Sequence, residues 1–400
     1  MSRRGRTGWS GRKRREALKK WLVDAMGDRA ARMSRTLVFD IADDRRASYM
    51  DSASASATST AADDAGDQEE RLHDDPDRPR RGAGRRIAAW CAALLLIVPT
   101  VVVACRVADT DAVTPIPQLL AFLPWLLVPA GAALLLAALA RWIPGLIWAA
   151  VVLAITGWFV RPYDIGLADK PSGKAVAKLE VLTSNVEFGN GTAGLLELIE
   201  KEQPDLVFVT ECAEACSQGL ATRIPLSDYP HRNVVEGKLA FGSAILSKYP
   251  LKKGAGIEST LAMPGSVATI AGQEVQVQLA HPLPPVPSGM DDWHRELGRM
   301  KKYAAGVRDV PTIFAGDFNA GQDHAAFRRI LDAGKLRSAA ALGGASRTPS
   351  WPTMVGRPLG TQIDHVLISK EFSVRKARFV ELDNTDHRAL LTELELHEKR

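Results

Sequence analysis

Cysteine is scarce in this chain, with four in 400 residues, too few for a disulfide framework. Cys91 and Cys105 lie in apolar runs and read as small buried side chains. Cys212 and Cys216 stand four apart, a spacing at which bonding depends on local geometry that sequence does not display. The absence of a Cys-x-x-Cys pair or a Cys/His cluster excludes a zinc site of the usual spacing. The amino-terminal basic residues are not followed by the apolar core of a signal peptide, and no internal repeat is found. A charge of one sign is missing as well. The formal net charge of +5 and the pI near 9.0 sum a basic head, an acidic patch and a second basic run. They describe no continuous basic surface of the kind nucleic acids select.

What is present changes sharply along the chain. Residues 1–85 join an arginine-rich head, a Ser/Ala/Thr stretch, an acidic patch and the basic cluster 78–86. Such a composition buries too little apolar surface to offset the entropy of ordering, so a disordered cytoplasmic tail is expected there. Over 86–161 the character reverses, and three apolar runs, about 87–105, 119–140 and 143–160, are each long enough to cross a hydrocarbon core. Arg141-Trp-Ile-Pro-Gly145 marks the turn between the second and third. Arginines abut the first run and occupy that turn, so the positive-inside rule places the amino terminus in the cytoplasm. Three spans then place everything after Val160 outside the cell membrane.

After a linker over 162–175, residues 176–398 have the composition of an α/β domain. Strands are expected at Val176–Asn185, Asp205–Glu211, Gly242–Ser247, Glu274–Ala280, the run entering Asp317, Gln362–Ile368, Val374–Leu382 and Ala389–Leu396. Helices are expected at Ala193–Lys201, Asp291–Ala305 and Asp323–Ala333. Strands outnumber helices and the last three follow one another directly. This favours layered sheets with helices outside over a regular βαβ repeat.

The chemistry is written at the strand ends. Thr312-Ile-Phe-Ala-Gly-Asp-Phe-Asn319 is a buried run that empties into an aspartate and an asparagine two apart, which share one side of an extended chain. Other apolar runs end likewise, at Asn185, Glu211 and His281; Asp364 and His365 interrupt another, and Asp386 and His387 precede the last. A single such group is usually a cap or turn former. Several of them on separate strands are hard to explain that way, because burying unpaired charge is costly. Converging carboxylates with few cysteines call for a hard cation such as magnesium.

These motifs, in this order and with Gly242-Ser-Ala-Ile-Leu-Ser-Lys-Tyr-Pro250 among them, resemble the endonuclease/exonuclease/phosphatase superfamily. Its members include DNase I, abasic endonucleases of the exonuclease III class, neutral sphingomyelinases and inositol polyphosphate 5-phosphatases. The resemblance implies a four-layer α/β sandwich, DNase I-like, and hydrolysis of phosphoester bonds with Mg2+, Mn2+ being the alternative. It implies Glu211, Asn185 and Asp386 at the metal and Asp317 orienting or deprotonating water. Asn319 would hold a phosphoryl oxygen. His387, fixed by Asp364, would contact the phosphate, and His281 would serve as second histidine. Thr210-Glu211-Cys212 replaces the Gln-Glu of many relatives, so the local rim differs. Arg295 is a candidate substrate contact, weighed against a helix-surface arginine; Thr348, Trp351 and Pro352 are candidate pocket walls, weighed equally against a packed loop. The substrate stays open between a lipid head group, a nucleic acid and a small phosphoester. Membrane lipid is expected around the three spans, and the sequence implies no protein partner.

Overall fold

The computed structural model describes residues 81–163, 166, 170–356 and 359–398. The expected tail therefore lies outside the described residues, except for its last five positions. These are helical, because the first apolar helix, α1 (Arg81–Val107), starts earlier than its apolar run. Next come α2 (Ile116–Ala121), a 3-10 turn (Leu123–Leu126), α3 (Leu127–Ala140) and α4 (Ile143–Val160). Gly82–Val107, Leu123–Ala140 and Ile143–Val160 are each long and apolar enough to cross a membrane. The second begins later than the sequence implies. Pro124 lacks an amide hydrogen and separates α2 from the rest. Arg141 ends α3 in the left-handed conformation (φ 58°), and Pro144 opens α4. Ala130, Ala133 and Ala137 of α3 pack with Ala92, Leu96, Ala149 and Val152, small side chains letting backbones approach as in lipid-embedded bundles. Ile87, Trp90 and Leu94 point outward.

The remainder is built of strands β1 (Ala175–Asn185), β2 (Leu206–Thr210), β3 (His231–Val235), β4 (Ser243–Ser247), β5 (Leu251–Ile257), β6 (Met263–Ile270), β7 (Gln273–Ala280), β8 (Thr312–Asp317), β9 (Arg337–Ser338), β10 (Asp364–Ile368), β11 (Phe372–Glu381) and β12 (Arg388–His397). They form two six-stranded mixed sheets, ordered β11-β12-β1-β2-β4-β3 and β5-β6-β7-β8-β10-β9. Leu179, Val181 and Phe208 of one sheet meet Val275, Val277, Ile313 and Val366 of the other in a shared core. The outer face of the first sheet is covered by α5 (Thr192–Glu202) and α6 (Glu214–Arg223). That of the second is covered by α7 (Met290–Gly306) and α8 (Ala325–Gly334). A single-turn α9 (Ala339–Leu342) completes the elements. This is the four-layer α/β sandwich the resemblance implies. Strand β3 and the hairpin β5–β6 go beyond the sequence expectation.

One set of polar contacts ties the sandwich to the helix ends. Arg347 donates to the carbonyls of Phe159 (2.7 Å) and Val160 (2.6 Å) and pairs with Asp323 (2.7 Å), which lies 3.7 Å from Arg106 at the end of α1. Asp109 pairs with Arg328, Asp111 accepts from the Ala326 amide (2.8 Å), and His324 donates Nε2–H to the Pro117 carbonyl (2.9 Å).

Candidate active site

Topology brings the strand-end groups together. Strand β1 runs parallel to β2 with Asn185 opposite Thr210, so Glu211 emerges beside Asn185. In the other sheet β7 and β8 are parallel with Ala280 opposite Gly316, so His281 emerges beside Asp317. Strands β10 and β12 run antiparallel to these neighbours, and their beginnings reach the same edge. Asp364 sits directly opposite Asp317, and His387 and Asp386 immediately precede β12. Six strands thus deliver one polar group or more each to a single edge spanning both sheets.

The backbone there is shaped for close approach. Gly316 has φ +146°, and a Cβ on it would collide with the Ala280 carbonyl, which accounts for the glycine before Asp317. Glu187, Glu211 and Asn319 adopt positive φ (42°, 55° and 46°) without being glycine, a strain that clusters at functional sites. Cys212 and Cys216 are joined by a disulfide, with their Cα atoms 5.0 Å apart, directly after Glu211.

Asn185 bridges the sheets: its Nδ2 donates to Glu211 Oε1 and to Asp317 Oδ2, both at 3.1 Å. Glu211 Oε2 accepts from the Phe188 amide (3.1 Å), and Oε1 lies 3.7 Å from His281 Nε2. Burial opposes charge on Glu211, yet His281 and Asn185 outweigh it and hold the carboxyl below its ordinary value. The His387 ring donates Nδ1–H to Asp364 Oδ2 at 2.8 Å. Its Nε2 lies 3.9 Å from Asp317 Oδ2 and 3.7 Å from Asp386 Oδ1. Burial alone would lower the pKa of that imidazole, but the Asp364 charge and hydrogen bond, then Asp317 and Asp386, raise it to about 10. Asp317 moves the other way: burial first, then repulsion from Asp364, push it up to about 6. The Asn319 amide donates to Asp317 Oδ1 (2.8 Å), and its side-chain amide donates to the Pro282 carbonyl (2.9 Å).

The residue reading missed some members. Glu187 accepts from the Asp386 amide through Oε2 (3.0 Å), and burial followed by the Asp386 charge raises its pKa. Its spacing of two from Asn185 was the available signal. Thr385 donates to the Asn185 carbonyl (2.9 Å), and Ser350 accepts from the Ile363 and Asp364 amides. Trp351 donates Nε1–H to Asp386 Oδ2 at 2.8 Å. An open cavity of about 510 Å³ lies beside these groups, with Glu187, Thr353, Met354, Thr385 and Asp386 among its lining residues. Arg295 is on α7, half exposed and paired with Asp292 one turn back, as a helix-surface arginine would be. His294 lies against Trp293 and near Asp111, and buried His365 donates to the Ala320 carbonyl.

The donor chemistry fits a divalent cation. Glu187, Glu211, Asp317, Asp364 and Asp386 face the two imidazoles of His281 and His387, so carboxylates are in excess, and Asp364 Oδ1 is buried without a partner. The tightest grouping, Asp317 with Asp364 and His387, is less suited, because His387 spends Nδ1–H on Asp364 and carries a proton at neutral pH. The oxygens around Glu211, Asn185 and Asp386 remain, a hard donor set.

Several solved structures are similar to this chain at low identity. Humanized TDP2 of D. rerio is 16% identical over 54% of this chain and 98% of its own, with a TM-score of 0.44. Sphingomyelinase C from Streptomyces griseocarneus is 16% identical over 54% and 99%, with a TM-score of 0.42. An endonuclease/exonuclease/phosphatase family protein from Bacteroides thetaiotaomicron is 15% identical over 56% and 99%, with a TM-score of 0.41. No curated protein matches the chain. The sequence profile of the Endonuclease/Exonuclease/phosphatase family matches residues 182–387, just over half the chain, from within β1 to the His387 that precedes β12. With that match spanning every strand-end motif described above, the chain belongs to the endonuclease/exonuclease/phosphatase family.

Proposed function

We propose that this protein is a membrane-anchored, metal-dependent phosphoester hydrolase. Residues 1–85 form its cytoplasmic tail, 86–161 its three membrane spans, 162–175 a linker and 176–398 a catalytic domain outside the membrane. The observation that carries the reading is the convergence of Glu211, Asp317 and the His387–Asp364 pair on one edge, held together across the sheets by Asn185. Glu211, Asn185 and Asp386, joined by Glu187, would hold Mg2+ or Mn2+. When bound, the ion would draw off charge developing on the phosphoryl oxygens. The oxygen of a water forms the new bond to phosphorus, and Asp317 takes one of its protons. The phosphorus–oxygen bond to the leaving group breaks on the opposite side, and the departing oxygen gains a proton from His281 or water. Protonated His387 donates Nε2–H to a phosphoryl oxygen while Asp364 fixes the ring. Asn319 would position the same phosphoryl group.

The detergent-solubilised full chain should hydrolyse bis-p-nitrophenyl phosphate with magnesium or manganese and stop on chelation. Absence of turnover with every divalent ion tried, in a folded sample, would sink the enzyme reading. The outside placement has separate support in the Cys212–Cys216 disulfide, a bond that persists in oxidising compartments. Alkaline phosphatase fused after Arg400 should accordingly be active; an inactive fusion at normal expression would reverse the topology.

A further inference from the structure

The catalytic edge and the helix ends are neighbours along the chain. The loop that carries Asn319 continues through Gly321 to Asp323, which lies 3.7 Å from Arg106 at the end of α1 and pairs with Arg347. Four residues extend at most about 14 Å, so Asn319 cannot stand farther than that from the Asp323 backbone. A second route leads the same way. Thr353 donates its amide to the Asp386 carbonyl (2.9 Å), and Gly360 and Thr361, a few residues on, line a small cavity together with Ala121 and Pro124 of the helix region. Between these two anchors the exposed side chains among the described residues are apolar: Met354 (82% exposed), Val355 (44%) and Leu359 (44%). Met354 also borders the open cavity beside Asp386 and Glu187.

A group of exposed apolar side chains bordered by polar residues marks a surface that meets a ligand, a partner or a membrane. Here the covering surface follows from continuity along the chain: Thr353, before these side chains, is bonded to Asp386, and Gly360 and Thr361, after them, lie beside Ala121 and Pro124, next to the start of a helix that suits a bilayer. The head-group layer adds roughly 5–8 Å to each side of the hydrocarbon core, a thickness comparable with the span bounded above. An occupant matching this arrangement is amphipathic, with a phosphoryl group at the carboxylate edge and an apolar part along Met354 and Val355.

We infer that the substrate is the phosphoester of a lipid in the same membrane, taken from the outer leaflet over a rim formed by Met354, Val355 and Leu359. The inference rests on the hydrolase reading above. The bonds formed and broken are those already given, with the lipid's alcohol leaving on the departing oxygen and the phosphoryl group staying on the released head group.

The test uses the full chain reconstituted in vesicles of phosphatidylcholine, phosphatidylglycerol and sphingomyelin, with bis-p-nitrophenyl phosphate and a single-stranded oligonucleotide as soluble comparators. Release of a phosphorylated head group is expected. In the Val355→Ser/Leu359→Ser variant the ratio of lipid turnover to bis-p-nitrophenyl phosphate turnover should fall at least about tenfold. Hydrolysis of the soluble ester or the oligonucleotide with none of the vesicle lipids cleaved would overturn the inference and leave the hydrolase reading standing. An unchanged ratio in the variant would overturn the rim. Loss of turnover on bis-p-nitrophenyl phosphate in the unmodified chain would bring down both readings together.

Discussion

Asp317→Asn should abolish nearly all turnover, by about 10³-fold or more, while making the metal-free protein more stable at neutral pH. The two effects have one cause. Asp317 is buried against Asp364, and burial with that repulsion raises it from 3.8 to about 6. A carboxyl with a raised folded pKa holds its proton more tightly in the native state. Its cost is absent below 3.8, grows as pH rises toward 6 and persists above it. The difference is worth about 3 kcal/mol, and asparagine removes it, less what is lost in hydrogen bonds from Asn185 and the Asn319 amide. Thermal melts in a chelator should therefore show the variant above wild type at pH 8 and level with it below pH 4. A gap that stays flat across that range would contradict the electrostatic origin. Wild-type turnover should rise through pH 6 as Asp317 gives up its proton and fall toward pH 10 as His387 loses its own. A bound divalent cation would shift the acid limb lower still.

Much of this site could be read from the chain because each element announces itself twice. A buried β run such as Ile313–Ala315 is legible by its branched side chains, and the Asp317 that ends it is legible because charge has no business there otherwise. Glu187 escaped because its place depends on a left-handed turn after β1, which no side-chain pattern records. The hairpin β5–β6 escaped because Leu251-Lys-Lys-Gly-Ala-Gly-Ile257 is glycine-rich and largely exposed, and its pairing with β6 supplies what its sequence does not. Arg106 and Asp323 stand more than 200 positions apart, and Arg347 reaches the Phe159 and Val160 carbonyls from 188 and 187 positions away, so only the fold makes them partners. The disulfide was open for the reason that the turn after Glu211, and not the spacing of the cysteines, brings them together.

His387→Ala should cost both activity and stability. The imidazolium lies among Asp317, Asp364 and Asp386, and its removal leaves buried carboxylates facing one another. Breaking a buried pair from one side typically costs about 3–5 kcal/mol, and loss of a donor to the phosphoryl oxygens costs about 10²–10³ in rate. The sign of the pH dependence is opposite to that of Asp317. His387 is raised from 6.5 to about 10, so its contribution is complete below 6.5 and vanishes as pH climbs through 10. The melting gap between wild type and variant, measured in a chelator, should be widest near pH 6 and close at the alkaline end. Asp364→Asn should weaken the same hydrogen bond from the other side, and the double variant should lose less than the two single losses combined, because the contact at 2.8 Å can be broken only once. Strictly additive losses would show that Asp364 and His387 are not coupled, and the role given to Asp364 as the group that fixes the ring would fall.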